Sequence, residues 1–270
     1  MENIILSPKE FLYLCWQEGA KEVYGIIDAY KDFNTDDVSG EIRSIQGSLE
    51  NKGYIESDFD GNSSIRSEVI EYVDVCAMCQ KLITFDNQKK SGEQINTVYY
   101  FSNEKTVRST RINGDYHLSY VDPQGIKDEI IGNIDLVPVN NASPFNKLSI
   151  QKRVIDKVRK AYLKADRDFA TSELKKYFAD DAVVNVILNG FKKKENGYSL
   201  TAMDLISEED NIKNLLFINS DVANIAMRPG VEDLRTVIEY ECVDEAYIYA
   251  NIDSVLNLVI SKQTGDEIYG

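Results

Sequence analysis

Hydrophobic and polar positions alternate in a pattern that this chain carries twice. From Thr97 to Ile131 a β-rich run leads to a polar turn (Ser102 to Lys105), a second run (Thr106 to Ile112) and a Tyr-rich third run (Tyr116 to Val121). An apolar-periodic helix, Gly125 to Ile131, follows. The stretch from Asn224 to Ile260 reads the same way, with its turn at Pro229 to Asp233, runs at Leu234 to Val243 and Ala246 to Ala250, and a helix at Ile252 to Ile260. Period-two alternation puts Tyr116 and Tyr120 on one strand face and, on this reading, Tyr247 and Tyr249 on another.

The segments before each block also correspond. In the first half, Ser7 with Pro8 predicts a helix start, Phe11 to Trp16 form its apolar stripe, and Val23 to Ile27 suggest a second short helix. Asp36 and Asp37 open a third helix whose stripe is Val38, Ile42, Ile45 and Leu49, stopped by Lys52-Gly53. A strand at Tyr54 to Glu56, a turn at Asp58 to Asn62, a helix from Ile65 to Lys81 and a strand from Leu82 complete the approach to the sheet. In the second half, helices are expected at Leu148 to Ala165, Phe169 to Phe178 and Thr201 to Ile206, before a strand at Leu215 to Ile218. Val137 to Phe145, with two prolines and two adjacent asparagines, marks the boundary. The expected organisation is therefore two halves, 1–138 and 139–270, whose strands join in one sheet because a three-strand block with an open edge is better stabilised by pairing.

Composition narrows the function. Lys and Arg number 30 against 45 Asp and Glu, a formal charge of −15, which opposes nucleic acid and other polyanions. Three helices and a hairpin in the first half outline a winged helix, but Asp36, Asp37, Glu41 and Glu50 outnumber Arg43 and Lys52 where a recognition helix would lie. The basic stretch from Lys147 to Lys176 reads as a solvated helix face, or more sharply as a docking surface for an acidic partner. No run reaches the roughly 20 apolar residues of a membrane span, and the N-terminus lacks a secretory pattern, so a cytoplasmic location is expected.

Catalytic chemistry finds little to work with. There is no phosphate loop, dinucleotide fingerprint or nucleophile elbow, and His117, the one histidine, lies within a strand. Cys76 and Cys79 form a C-x-x-C without a second pair, inside an apolar helical run, and read as core. No enzyme activity, cofactor or metal is expected. The residues expected to bind a partner are Lys89 and Lys90 in the loop Asn87 to Gln94, Arg108, Arg111, Arg228 and Arg235, and Tyr247 and Tyr249.

The opening LSPKEFLYLCWQEGA, the helix stop LENKGYIE, the meander YYFSNEKTVRSTRI with DYHLSYVDPQGIKDEI, and the closing LRTVIEYECVDEAYIYANIDSVLNLVI together resemble the EspG-like chaperones of type VII secretion, in particular the firmicute, EsaE-type branch. That resemblance implies an α+β fold with a pseudo-two-fold repeat, a central antiparallel β-sheet and two flanking helical bundles. It also implies a cytosolic adaptor that binds the helical targeting region of a secreted toxin or of its small helical partner proteins and directs it to the membrane secretion ATPase. Two other classes remain open from the residues alone: an acidic antitoxin or immunity protein, and a winged-helix DNA-binding regulator.

Overall fold

The computed structural model describes residues 3–27, 33–57, 63–88, 94–102, 105–137, 146–189, 191, 197–207, 211–219 and 223–260. Strands β1 (Ile4–Leu6), β4 (Lys81–Gln88), β5 (Gln94–Phe101), β6 (Thr106–Ile112) and β7 (Asp115–Tyr120) belong to one sheet with β8 (Lys147–Gln151), β9 (Gly197–Asp204), β10 (Ile212–Asn219), β11 (Asn224–Glu232) and β12 (Arg235–Val243). Its order is β1-β7-β6-β5-β4-β9-β10-β11-β12-β8. Every pairing whose register is described is antiparallel. Read inward from either edge, the first sheet strand of each half comes before its fifth, fourth, third and second. The fold is thus α+β around a large antiparallel sheet.

The elements fall into two compact units interleaved along the chain: Met1–Thr84, Asn96–Ile126 and Ala202–Ile212 in the first, Phe85–Ile95, Lys127–Thr201 and Lys213–Gly270 in the second. In the first, helices α1 (Pro8–Gln17), α2 (Val38–Asn51) and α3 (Ser67–Ala77) and the hairpin β2 (Ile55–Ser57)–β3 (Ser63–Ile65) surround a core that includes Leu6, Phe11, Leu14, Leu49, Val73 and Tyr100. Burying side chains of this size stabilises the fold by about 1.5–3 kcal/mol each. Cys76 belongs to this core and Cys79 packs against it, where burial pushes the Cys79 thiol up to about 11. A thiol that stays protonated at neutral pH is a poor nucleophile and metal ligand.

One carboxylate ties α1 to α2. Ser7 caps α1 in a capping box: the Ser7 N–H donates to Glu10 Oε2 at 2.7 Å, and the Glu10 N–H to Ser7 Oγ at 3.3 Å. The same carboxylate, 2% exposed, accepts from Ser48 Oγ at 2.7 Å and from Lys52 Nζ at 2.6 Å, where Gly53, at φ 69°, ends α2.

The second unit holds α4 (Ile126–Gly132) from Lys127 onward, α5 (Lys152–Leu163), α6 (Arg167–Lys175), α7 (Asp181–Asn189) and α8 (Glu245–Leu256). Val154, Val158, Leu174 and Ile187 pack with Ile150 of β8, Ile225 of β11 and Tyr240 of β12. On the face opposite these, defined by alternation, Asn219 and Asn224 are 0–1% exposed and paired across β10 and β11. They hold the stretch after α4. Asn224 Nδ2 donates to Val137 O and its Oδ1 accepts from the Val137 N–H, both at 2.9 Å, while Asn219 Nδ2 donates to Asp135 O. The Asp135 N–H donates to the Tyr198 hydroxyl at 2.9 Å.

Several expectations are corrected. Ala246 to Ala250 is the start of α8, not a strand, because Asp244 caps it by accepting from the Tyr247 N–H at 2.7 Å, and Ile248, Ile252 and Val255 recur at helical spacing on its buried side. The second meander is therefore β10-β11-β12, one strand earlier than expected. Thr201 to Ile206 lies largely in β9, where burial on both faces hides the alternation. The first residues of the expected helix at Leu148 form β8. Val23 to Ile27 is not helical: Tyr24 O accepts from Tyr100 Oη at 2.6 Å and the Ile27 N–H donates to Tyr116 Oη at 2.6 Å, so side chains take the backbone groups a helix would use. The hairpin consequently follows two helices and precedes α3, unlike the three helices and wing expected. The turn at 58–62 and most of the boundary at 137–145 lie outside the described residues.

Two stability changes follow. Burial works against ionisation of Glu10, but hydrogen bonds from Lys52, Ser48 and the Ser7 N–H outweigh it and hold the carboxyl below its ordinary value. The stabilisation is then complete above about pH 5 and is lost as the pH falls through the lowered folded pKa. Glu10→Gln should cost about 1–3 kcal/mol at pH 7 in urea denaturation, and the gap from wild type should narrow at pH 3. Asn224→Ala, which leaves both backbone groups of Val137 unpaired, should cost about 2 kcal/mol by the same measurement.

Candidate partner-binding surface

Within each unit, the described residues expected to bind a partner are only partly brought together. Lys89 and Lys90 lie outside the described residues. Arg108 and Arg111 sit three apart on β6 and so face opposite sides of the sheet. Arg108 Nε donates to Ser119 Oγ at 3.2 Å, within the sheet surface, while Arg111 lies 6.0 Å from the centre of the Tyr116 ring, on the side that carries the first unit's core. Tyr247 and Tyr249, expected on one strand face, are about 200° apart around α8. Tyr249 Oη hydrogen-bonds the Glu245 carboxylate one turn back, which raises the phenol's pKa.

Arg228 and Tyr247 do come together. The guanidinium lies 5.5 Å from the ring centre, a cation–π contact between β11 and α8. Arg228 also lines a groove of about 310 Å³ between α8 and strands β10 and β11, together with Lys213, Asn251, Ser254 and Val255. Lys213 Nζ spans it to Ser254 O at 3.0 Å, and Asn251 Nδ2 donates to Tyr247 O at 2.8 Å. The Tyr247 hydroxyl is buried without a hydrogen-bond partner among the described residues. These donors and a polarised ring suit recognition of polar backbone or side-chain groups.

The other face of the same strands carries apolar surface that residue type alone did not single out. Leu216, 37% exposed, pairs with Met227, and Val231, 73% exposed, lies further along the same face of β11. Ile212 of β10 is also exposed. Their alternation in Ile212, Leu216 and Ile218, and in Ile225, Met227 and Val231, was visible in the sequence. What the sequence did not show is that helical packing covers only one end of the row: Ile225 belongs to the packed core and Val231 does not. A row of partly exposed apolar side chains at strand spacing suits contact with another protein's apolar face.

No family model matches the chain, and no curated protein matches it. Among solved structures, it is similar in fold to the Mycobacterium tuberculosis type VII secretion system chaperone EspG5, solved in complex with a PE25–PPE41 dimer. The TM-score is 0.56 and the identity 11%, over 95% of this chain and 96% of that one.

The unpartnered Tyr247 hydroxyl has a consequence for stability. Tyr247→Phe removes a buried unpaired polar atom while keeping the ring beneath Arg228, so urea denaturation should show stability unchanged or raised by up to about 1 kcal/mol. Tyr247→Leu, which also loses the cation–π contact, should be less stable than Tyr247→Phe.

Proposed function

We propose that this protein is a cytoplasmic chaperone or adaptor of type VII secretion that acts by binding and not by catalysis. Its cargo is the helical targeting region of a secreted toxin or of the toxin's small helical partner proteins. By covering that region it keeps the cargo soluble until it reaches the membrane secretion ATPase. The observation that carries this reading is the likeness in fold, along nearly the whole of both chains, to a secretion chaperone solved with a protein dimer in place. The sequence resemblance to the EsaE-type branch supports it.

The physical case rests on the second unit. A helical hairpin with an apolar face needs a partner surface that removes that face from water, at about 25 cal/mol per Å² covered. Leu216, Met227 and Val231 offer apolar surface on one side of strands β10 and β11, and the polar groove beside α8 lies on the other. Among the described residues, no helix is long and apolar enough to cross a membrane.

Co-expression with the helical proteins encoded beside it in a secretion locus should yield a stable complex on size-exclusion chromatography. Leu216→Asp should weaken that complex at least tenfold while the free protein keeps its circular-dichroism spectrum. Repeated failure to retain any helical substrate would overturn the reading. Retention of a toxin's catalytic domain alone, without its helical region, would favour an acidic immunity protein instead.

A further inference from the structure

The two halves carry hairpins at the same place in the strand order, β6–β7 and β11–β12, and the hairpins differ in a telling way. In β6–β7 six positions pair, and the turn is Asn113-Gly114, at φ 54° and 97°, the residues that a two-residue turn with both φ positive asks for. In β11–β12 nine positions pair, and the turn is Asp233-Leu234, at φ 46° and 61°. A leucine in the left-handed region is strained, and this one recovers nothing by burial, since it is 99% exposed. The longer hairpin also outruns its neighbours. The pairing with β8 ends at Val237 with Gln151, and the described register with β10 ends at Met227 with Leu216. Arg228 to Thr236 thus extend beyond both registers as a two-stranded ribbon tipped by Leu234, with Val231 also exposed on it.

Beside the ribbon is a notch of about 380 Å³ lined by Gln151, Lys152, Arg153, Asp156, Arg235 and Thr236. Asp156 is engaged by Lys152 at 2.9 Å. Arg153 Nε donates to Gln151 Oε1 at 2.8 Å, and among the described residues neither Arg153 nor Arg235 forms an ion pair. Two guanidiniums that share a concavity without a carboxylate partner of their own, its one acid Asp156 being taken by Lys152, are notable in a chain of charge −15. The adjoining helix end has the same bias. α1, which follows the edge strand β1, begins with a capping serine and Glu10, whereas α5, which follows the edge strand β8, begins at Gln151 with no side-chain cap and no acid in its first turn. Its first two residues are cations, the charge that a helix N-terminus disfavours. An incoming carboxylate would satisfy the Arg pair and that N-terminus together.

We propose that the β11–β12 tip and this notch form one docking site for an acidic amphipathic helical segment of the substrate, which places a carboxylate between Arg153 and Arg235 and an apolar side chain against Leu234 and Val231. The inference rests on the adaptor reading above and specifies the chemistry its cargo must present. Charge complementarity selects the occupant: arginine is the side chain best matched to bidentate carboxylate recognition, and an aliphatic tip held away from the core requires an apolar counterpart. Glu232 and Asp233, the other charges at the tip, disfavour an all-acidic segment and fit one in which acid and apolar positions alternate along a helix face.

The test uses the full chain and the helical substrate that it retains on co-expression, measured by calorimetric titration. Arg153→Glu with Arg235→Glu should weaken binding at least tenfold and flatten its dependence on NaCl. Leu234→Gly should weaken binding by a similar factor while raising the Tm of the free protein, because glycine takes the left-handed turn without strain. A higher Tm with weaker binding separates docking from folding, since a damaged fold would lower both. If wild type binds the substrate and the variants bind it with unchanged Kd and salt dependence, this site is refuted and the adaptor reading stands. If wild type retains no helical substrate, both fall.

Discussion

A wide β-sheet has two faces to keep from water, and the sequence of every strand here reflects how that is achieved. β5 is buried at six consecutive positions, and β9 at five of its eight, so neither shows the period of two that marks a half-exposed strand. β7 and β12, next to the edges, retain polar positions of intermediate exposure between their buried ones. In the first unit the helices and the small hairpin cover one face with Phe11, Leu14, Val73 and their neighbours. In the second, α5, α6 and α7 cover one face, while α8 and the stretch after α4 lie across the other. Surface left uncovered by these layers, from Leu216 to the tip of β11, is where a partner has most to gain.

The repetition of element order makes the differences between the halves informative. Each half begins with a short strand at an edge of the sheet and continues directly into a helix. In the first half that junction is closed by a capping box and a buried carboxylate bonded to the next helix; in the second it is left basic and uncapped. The fourth and fifth sheet strands of each half form a hairpin, and one is trimmed to its neighbours while the other extends past them. Where the same architecture is built twice, a departure in one copy alone is not required by the architecture.

Much of this was legible in the sequence where local chemistry dominates. Ser7-Pro8 started a helix, Asp37 capped α2 and Lys52-Gly53 ended it, because each acts on backbone groups within a few residues of itself. What escaped depends on tertiary surroundings. Burial on both faces removed the strand signature of β9, and five strand residues at Lys147 merged into the helical pattern of α5. Alternating tyrosines at 247 and 249 imitated a strand, although the Asp244 cap and the spacing of Ile248 and Ile252 already described a helix. Residue type singles out Arg228 and Tyr247, which do meet, and equally Arg108 and Arg111, which point to opposite faces. Residue type does not mark Leu234, since what distinguishes it is a positive backbone angle and near-complete exposure.

The asparagines beneath the segment after α4 have a wider consequence. An asparagine side chain ends in the same amide that links the backbone, with a donor and an acceptor side by side. When Asn224 bonds to both the N–H and the C=O of Val137, it does what an adjacent strand does, but perpendicular to the sheet. The chain can thus pass over the strands as though hydrogen-bonded into a second layer, yet it adds no edge on which another chain could polymerise. The stretch from Asn133 to Val137 is thus tied to the sheet by amide groups that ordinary strand grammar reads as surface.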